Sequence, residues 1–278
     1  MKGAIHSTKY NAIVIGSGQS GPSLTARLTK ESMQVAIAKW GLFGGTCVNT
    51  GCIPTKTLVP NARTAYDGRR AEDYDVMIGV DITVDMKKVK ARMDDIRGAS
   101  KKCAEGWLKT MENCTVHEWQ VRFEGPGQIS VGDDLIDAKM IFINVGGLAA
   151  VPDIPGLESL AYMTNTAIME VDFLPEHLLV LGGSYIGLEF GQRYHRFGSK
   201  VTIIWRGKRL IAREDEDVSN AVREIIEAED INILADTWDL EIEKRGDKIA
   251  VNVDCKGAHR ESVGSHLLVA TARVPNTF

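Results

Sequence analysis

Asn11-Ala12-Ile13-Val14-Ile15-Gly16-Ser17-Gly18-Gln19-Ser20-Gly21 decides the fold. Asn11 to Ile15 is a short apolar strand that runs straight into a Gly-x-Gly-x-x-Gly turn. A helical pattern follows through Leu24, Ala26, Arg27 and Leu28, and then a second strand, Gln34 to Ala38. Strand, glycine turn, helix and strand are the context in which this motif reads as a dinucleotide site. Gly16, Gly18 and Gly21 let the backbone approach a pyrophosphate, whose charge the amides and dipole of a helix N-terminus hold. The alternative is a glycine-rich turn in some other α/β unit.

The unit recurs. Leu178 to Leu181 is a strand, followed by Gly182-Gly183-Ser184-Tyr185-Ile186-Gly187, a helix through Leu188, Phe190 and Tyr194, and the strand Lys200 to Ile204. Gly182, Ser184 and Gly187 follow Gly16, Gly18 and Gly21 at one constant offset. Two mononucleotide folds in one chain predict two nucleotide cofactors. The fold class expected is α/β, with two Rossmann-like dinucleotide-binding domains, each a parallel sheet with a small antiparallel element.

Between the units lies Gly44-Gly45-Thr46-Cys47-Val48-Asn49-Thr50-Gly51-Cys52-Ile53-Pro54-Thr55-Lys56. Two cysteines five apart, in a chain with only 5, suggest redox chemistry rather than a staple. Pro54, Leu58 and Val59 place Cys52 near the start of a helix, a position that favours the thiolate. Cys103, Cys114 and Cys255 lack partners at metal-ligand spacing and read as free thiols. A zinc module on Cys47 and Cys52 lacks its second pair of ligands.

The chain has 278 residues, 44% of them hydrophobic, and a net charge of -4. That length supports two cores. The mildly acidic balance argues for no nucleic-acid or membrane-surface partner, and no apolar run approaches a membrane span. Met1 to Lys9 lacks the apolar region of a signal peptide, so a cytoplasmic location is expected.

The remaining segments follow in order. Thr83 to Met111 reads as an amphipathic helix, with Met86, Val89, Met93 and Ile96 on one face. Val116 to Phe123, Gln128 to Val131, Leu135 to Ala138 and Met140 to Val145 read as strands, the last closed by Gly146-Gly147. Pro152 and Pro155 mark a boundary between a domain at residues 1–150 and one at 151–270. Ile211 to Glu229 reads as a helix, and Leu240 to Ile242, Lys248 to Val253 and Glu261 to Val263 as a small antiparallel element, before a last strand at His266 to Ala270. Where each unit's second strand ends, an acid that binds ribose is expected, yet Lys39 and Trp205 stand there. Arg206, Lys208 and Arg209 form a cluster suited to a 2′-phosphate, which favours NADPH over NADH, unless they are ordinary surface cations.

The cysteine stretch resembles the active-site signature of the flavoprotein disulfide reductases. The order of parts matches as well: a first glycine motif, the cysteine pair, Ile143-Asn144-Val145-Gly146-Gly147, a second glycine motif, and Ala272-Arg273-Val274-Pro275-Asn276-Thr277. The Val-Asn-Thr-Gly spacer and Gly-Ser-Tyr-Ile-Gly-Leu-Glu look most like mercuric-reductase-like members. The resemblance implies an FAD site using Gly45, Thr46, Gly146 and Arg273 beside the first glycines, and an NAD(P)H site at the second. It implies hydride passing from nicotinamide to FAD, then two electrons to a Cys47–Cys52 disulfide, and then to a small-molecule disulfide or a thiol-reactive metal ion such as Hg(II). Cys52 would face the flavin, Cys47 would exchange with substrate, and Lys56 would pair with Glu189 near the flavin.

The sequence departs from the family at Lys39, Ser184, Trp205 and Ala272. It also stops at residue 278, where the family continues into a dimerisation domain whose His–Glu pair serves the partner's site of the homodimer. His6, His117, His177, His195, His259 and His266 lack that context, so no acid/base residue is assigned. Residues 271–278 read as the start of a return to the first domain. The competing expectation is a truncated, catalytically silent nucleotide-binding fragment.

Overall fold

The computed structural model describes residues 7–277. His6, with most of the polar start read as lacking a signal region, and Phe278 lie outside the described residues. Contacts divide the chain into two compact units, neither of them one run of sequence. Among the described residues, one comprises 7–55, 94–148 and 275–277; the other comprises 56–93 and 149–274.

In the first unit, β1 (Ser7–Ile15), α1 (Ser20–Lys30) and β2 (Val35–Ala38) form the expected strand–turn–helix–strand. The short helix α2 (Gly45–Asn49) and the start of α3 (Cys52–Arg69) carry the cysteines, and α4 (Met86–Lys109) leads into β3 (Cys114–His117). The strands β4 (Val121–Gly125), β5 (Gln128–Val131) and β6 (Asp134–Ile143) complete a six-stranded sheet in the order β3-β2-β1-β6-β5-β4. β3, β2, β1 and β6 are parallel, while β5 and β4 are antiparallel additions. The apolar runs of β1 and β2 are buried on both faces, as central parallel strands require. Ile13, Ala36 and Ile136 pack on one side, and Val14, Ile37 and Leu108 on the other.

Two expectations here need correction. Val116 to Phe123 is not one strand, because β3 pairs with β2 and β4 with β5, and Glu118 to Gln120 lies between the two ladders. Leu135 to Ala138 and Met140 to Val145 merge instead into one strand, β6, which ends at Ile143. β6 runs in continuous register along β1 from Ser7↔Leu135 to Ile15↔Ile143, and Lys139, between the two expected strands, is an exposed residue within it.

β7 (Gly147–Ala150) forms a two-stranded sheet with the last strand of the chain where the backbone passes between units. The second unit contains β8 (His177–Leu181), α5 (Tyr185–Phe197), β9 (Lys200–Trp205), α6 (Glu216–Glu227) and β10 (Asn232–Ala235). A meander of β11 (Thr237–Arg245), β12 (Lys248–Cys255) and β13 (Ala258–Gly264) follows, then β14 (His266–Val269) and β15 (Ala272–Pro275). The parallel sheet is ordered β10-β9-β8-β14, and the meander is a separate antiparallel sheet. Leu178, Val180, Phe190 and Ile203 share one core with Leu58 and Met93. Leu179, Leu181 and Leu267 share another with Val251 and Val253 of the meander.

α4 and α6 are shorter than the patterns from Thr83 and Ile211 suggest. The main chain of Asp85 accepts the first α4 bond from Val89. Ile211 sits at φ 39, outside helical backbone, and Asp215 is the extended residue preceding α6.

Candidate active site

The first glycine turn is built by close backbone approach. Gly16 lies at φ 107 and donates its N–H to Ala38 O at 2.7 Å. A Cβ on Gly16 would stand 2.1 Å from Asn144 O, and one on Gly21 would stand 2.1 Å from Gly16 O. No side chain could occupy either place. Asn144, at the end of β6, donates from Nδ2 to Gly16 O at 3.2 Å and ties the turn down. A Cβ on Gly18 would meet nothing closer than Asn144 Nδ2 at 3.6 Å, whereas one on Gly45, the first residue of α2, would come within 2.7 Å of Gly18 Cα. Gly16, Gly18, Gly21, Gly45 and Thr46 therefore stand together. The first turn of α1 contains no acid and its N-terminus has no side-chain cap. Such an uncapped helix entrance behind an open glycine fits a pyrophosphate.

The second turn repeats this construction. Gly182 lies at φ 139 and donates to Ile204 O at 3.0 Å. A Cβ on Gly182 would meet Ala270 O at 2.3 Å, and one on Gly187 would meet Gly182 O at 2.1 Å. Ser184 precedes α5 in extended conformation, again with no side-chain cap and no acid in the first turn. The serine in place of a second glycine is thus compatible with the turn. Trp205 has turned inward: its Nε1 donates to Arg209 O at 2.9 Å, and its ring fills the space under Gly183. Arg206 and Lys208 are exposed beyond it, while Arg209 lies 4.0 Å from Glu216.

The cysteines occupy two successive helices. Cys47 lies in α2, and Cys52 is the first residue of α3, as its surroundings in the sequence suggest. The linking turn is tight, since a Cβ on Gly51 would stand 2.9 Å from Thr46 O and 3.3 Å from Cys47 Cα. Asn49, buried in the spacer, donates from Nδ2 to Phe43 O at 2.7 Å and to Gly45 O at 2.8 Å. It locks the loop before the first cysteine against the glycines that touch the nucleotide turn. Both cysteines are free thiols, Cys47 half-buried and Cys52 exposed. Burial, followed by the adjacent Cys52 thiol, pushes Cys47 up to about 11. In the dithiol state, Cys47 therefore holds its proton at neutral pH.

One turn after Cys52, α3 presents Lys56, whose Nζ hydrogen-bonds Glu189 Oε1 of α5. Glu189 is shared. Arg193, 4% exposed, donates from Nε to Glu189 O at 2.7 Å and lies 3.1 Å from Glu189 Oε2. Burial pulls the Arg193 guanidinium down to about 10, and the Glu189 charge opposes that pull. Its guanidinium also lies 4.4 Å from the centre of the Phe190 ring. Two cations on one carboxylate leave a net positive group.

At the C-terminal motif, Asn276 donates its N–H to Gly146 O at 3.0 Å and its Nδ2 to Val145 O at 2.9 Å. Asn276 Oδ1 is buried with no hydrogen-bond partner, beside the open space at Gly146 (φ 69). That acceptor awaits a donor. Arg273 is exposed on β15. His117 is the described histidine of the unit holding the cysteines, and its Nε2 lies 3.5 Å from Tyr10 Oη.

Asn49, Arg193 and Asn276 escaped the reading of the sequence. Arg193 carried a signal, a charge four residues after Glu189 on the helix face otherwise formed by Phe190, Tyr194 and Phe197.

Comparison with known proteins agrees with this arrangement. The profile of the pyridine nucleotide-disulphide oxidoreductases matches residues 10–278. The chain belongs to that family. It is 30% identical over 271 residues to a mercuric reductase of Bacillus cereus, covering 96% of this chain and 42% of the relative. It is 31% identical over 276 residues to the probable pyridine nucleotide-disulfide oxidoreductase RclA of Escherichia coli (strain K12), covering 97% and 58%. The solved structure of the HOCl-induced flavoprotein disulfide reductase RclA from E. coli superposes with a TM-score of 0.82 at 30% identity, over 97% of this chain and 58% of that one. The chain thus spans about half the length of the relatives it matches. Members of the family are oxidoreductases that use FAD and a pyridine nucleotide. Among the described residues, no helix is long and apolar enough to cross a membrane.

Proposed function

We propose that this chain is the two-nucleotide part of an FAD-dependent NAD(P)H oxidoreductase that delivers electrons to the Cys47–Cys52 pair. The observation that carries the reading is the tight α2–α3 turn, which brings the cysteines together on a loop anchored to the first glycine turn. In this reading residues 1–150 hold FAD and residues 151–270 hold the nicotinamide cofactor. Gly16, Gly18, Gly21, Gly45, Thr46 and Gly146 would hold the FAD, with Asn276 Oδ1 as an acceptor and Arg273 as a further cation. Gly182, Ser184 and Gly187 receive the second pyrophosphate. Arg206 and Lys208 favour NADPH by pairing with its 2′-phosphate.

FAD, when bound, supplies the two-electron relay between nicotinamide and disulfide. The residues of the chain do the rest. NAD(P)H is the reductant, and the Cys47–Cys52 bond takes up two electrons and two protons to become two thiols. Cys47 then attacks a substrate disulfide as the thiolate, a Cys47–substrate bond forms, and one substrate thiol leaves. Cys52 attacks Cys47, the mixed disulfide breaks, the second thiol leaves, and the internal disulfide is restored. Burial and the neighbouring Cys52 thiol hold the Cys47 proton at neutral pH, so its attack requires that proton to be withdrawn. Lys56, one turn along the helix that begins with Cys52 and paired with Glu189, would set a positive charge near a reduced flavin and a cysteine thiolate. Relatives named mercuric reductase support a thiol-reactive metal ion such as Hg(II) as the alternative electron acceptor. Few cysteines and no framework spacing support a reducing, cytoplasmic setting.

The test is the absorption spectrum of the purified chain incubated with FAD, before and after anaerobic NADPH. A retained flavin spectrum that bleaches with a new long-wavelength charge-transfer band is expected. A chain that cannot hold flavin sinks the reading.

A further inference from the structure

In a dinucleotide unit the second strand ordinarily ends on an acid whose carboxylate accepts the ribose hydroxyls. Here β2 ends next to Lys39, which cannot accept a hydrogen bond at all. Nor is Lys39 a cation held out for a phosphate. Its side chain is 7% exposed, and its ammonium donates to Gly41 O, lies 3.2 Å from Glu118 Oε2, and sits 4.0 Å over the Phe43 ring. An ammonium has three donors, and these three neighbours use them. Lys39 is a structural residue.

Its partner is placed differently. β2 and β3 run in parallel register, Ala38 facing His117, and Lys39 N donates to His117 O at 2.9 Å. Lys39 and Glu118 are therefore the first residues beyond the carboxyl ends of adjacent strands, on the rim where α/β sheets bind nucleotides. The Glu118 carboxylate is 44% exposed, with Lys39 at Oε2 and Lys109 2.8 Å from Oε1. Lys109 and then Lys39 hold Glu118 below the usual carboxylate range. Each oxygen answers one ammonium and keeps a lone pair free. We propose that Glu118, reaching over from β3, supplies the ribose-binding carboxylate that β2 lacks, with Lys39 and Lys109 as the cations that fix it. This rests on the reading of the first unit as the FAD site.

The experiment compares FAD, FAD carrying 2′-deoxyadenosine, and FMN, each titrated into flavin-free protein and followed by flavin fluorescence. The wild-type chain should prefer FAD over the deoxy analogue about tenfold or more, as expected for a hydrogen bond to a charged acceptor. In Glu118→Ala the two should bind alike, FAD weakening by a similar factor while FMN, which has no adenosine, is unchanged. Lys39→Met should keep the preference, which separates the acceptor from its support. Should Glu118→Ala fail to fold, Glu118→Gln replaces it, and a neutral acceptor should reduce the preference. A preference that survives loss of the Glu118 carboxylate overturns the assignment, as does its absence from the wild type. If the wild type binds neither FAD nor FMN, the FAD reading falls and the assignment with it.

Discussion

Glu189→Gln separates the two cations that share this carboxylate. Arg193 is 4% exposed and Lys56 is 61% exposed, while Glu189 between them is 40% exposed. Removing one partner of a buried pair costs about 3–5 kcal/mol, because the remaining charge is stranded away from water. Glutamine keeps a neutral acceptor for the guanidinium, Arg193 keeps its bond to the Glu189 main-chain carbonyl, and water already screens the half-exposed carboxylate, so the cost falls to about 2 kcal/mol. The exposed Lys56 contact is worth less than about 1 kcal/mol. At about 2–4 °C per kcal/mol for a chain of this size, Glu189→Gln should lower Tm by about 4–8 °C, and Lys56→Met by less than about 4 °C. Calorimetry at pH 7 reads both, in the transition of the unit that contains Arg193. Equal, small losses in the two variants would refute the view that Glu189 is held chiefly to neutralise a buried guanidinium.

Three further outcomes are expected. Alkylation of the reduced, flavin-free chain near pH 8, read by mass spectrometry, should modify exposed Cys52 and Cys103 before Cys47 and Cys114, which burial pushes up to about 11. Since the folded state holds both raised protons, their contribution to stability is complete below about pH 9 and is lost as pH rises towards about 11; early labelling of Cys47 contradicts this. Gly187→Ala places a Cβ 2.1 Å from Gly182 O, so NADPH binding should fall at least tenfold while FAD retention is unchanged. Arg206→Glu with Lys208→Glu should reduce the NADPH-over-NADH preference about 10–100-fold by direct titration of both nucleotides, and an unchanged ratio assigns those cations to the surface alone.

The strand–turn–helix units were legible because their glycines answer local steric demands. Gly21 and Gly187 each face a carbonyl only a few residues upstream, so spacing alone reveals them. The cysteine turn was legible for the same reason. What stayed hidden depends on partners distant in the chain. Nothing near Lys139 says that β6 continues through it, because β1 supplies the register. The gap between β3 and β4 is set by two separate ladders. Lys39 looked like a lost ribose ligand, and only its contact with Glu118, 79 residues later in the chain, gives the substitution a structural reason. By sequence Arg193 differs little from the other basic residues of its helix, and its burial against Glu189 is what sets it apart.

The most direct measurement of the central claim is a thiol count at named positions. The FAD-loaded chain is oxidised, freed of oxidant, and treated anaerobically with one equivalent of NADPH. It is then alkylated after denaturation and mapped by mass spectrometry. The account predicts that Cys47 and Cys52 are unlabelled before NADPH and labelled together after it, with Cys103, Cys114 and Cys255 labelled throughout. Labelling of Cys47 and Cys52 that NADPH does not change, under conditions where the flavin is reduced, would contradict it.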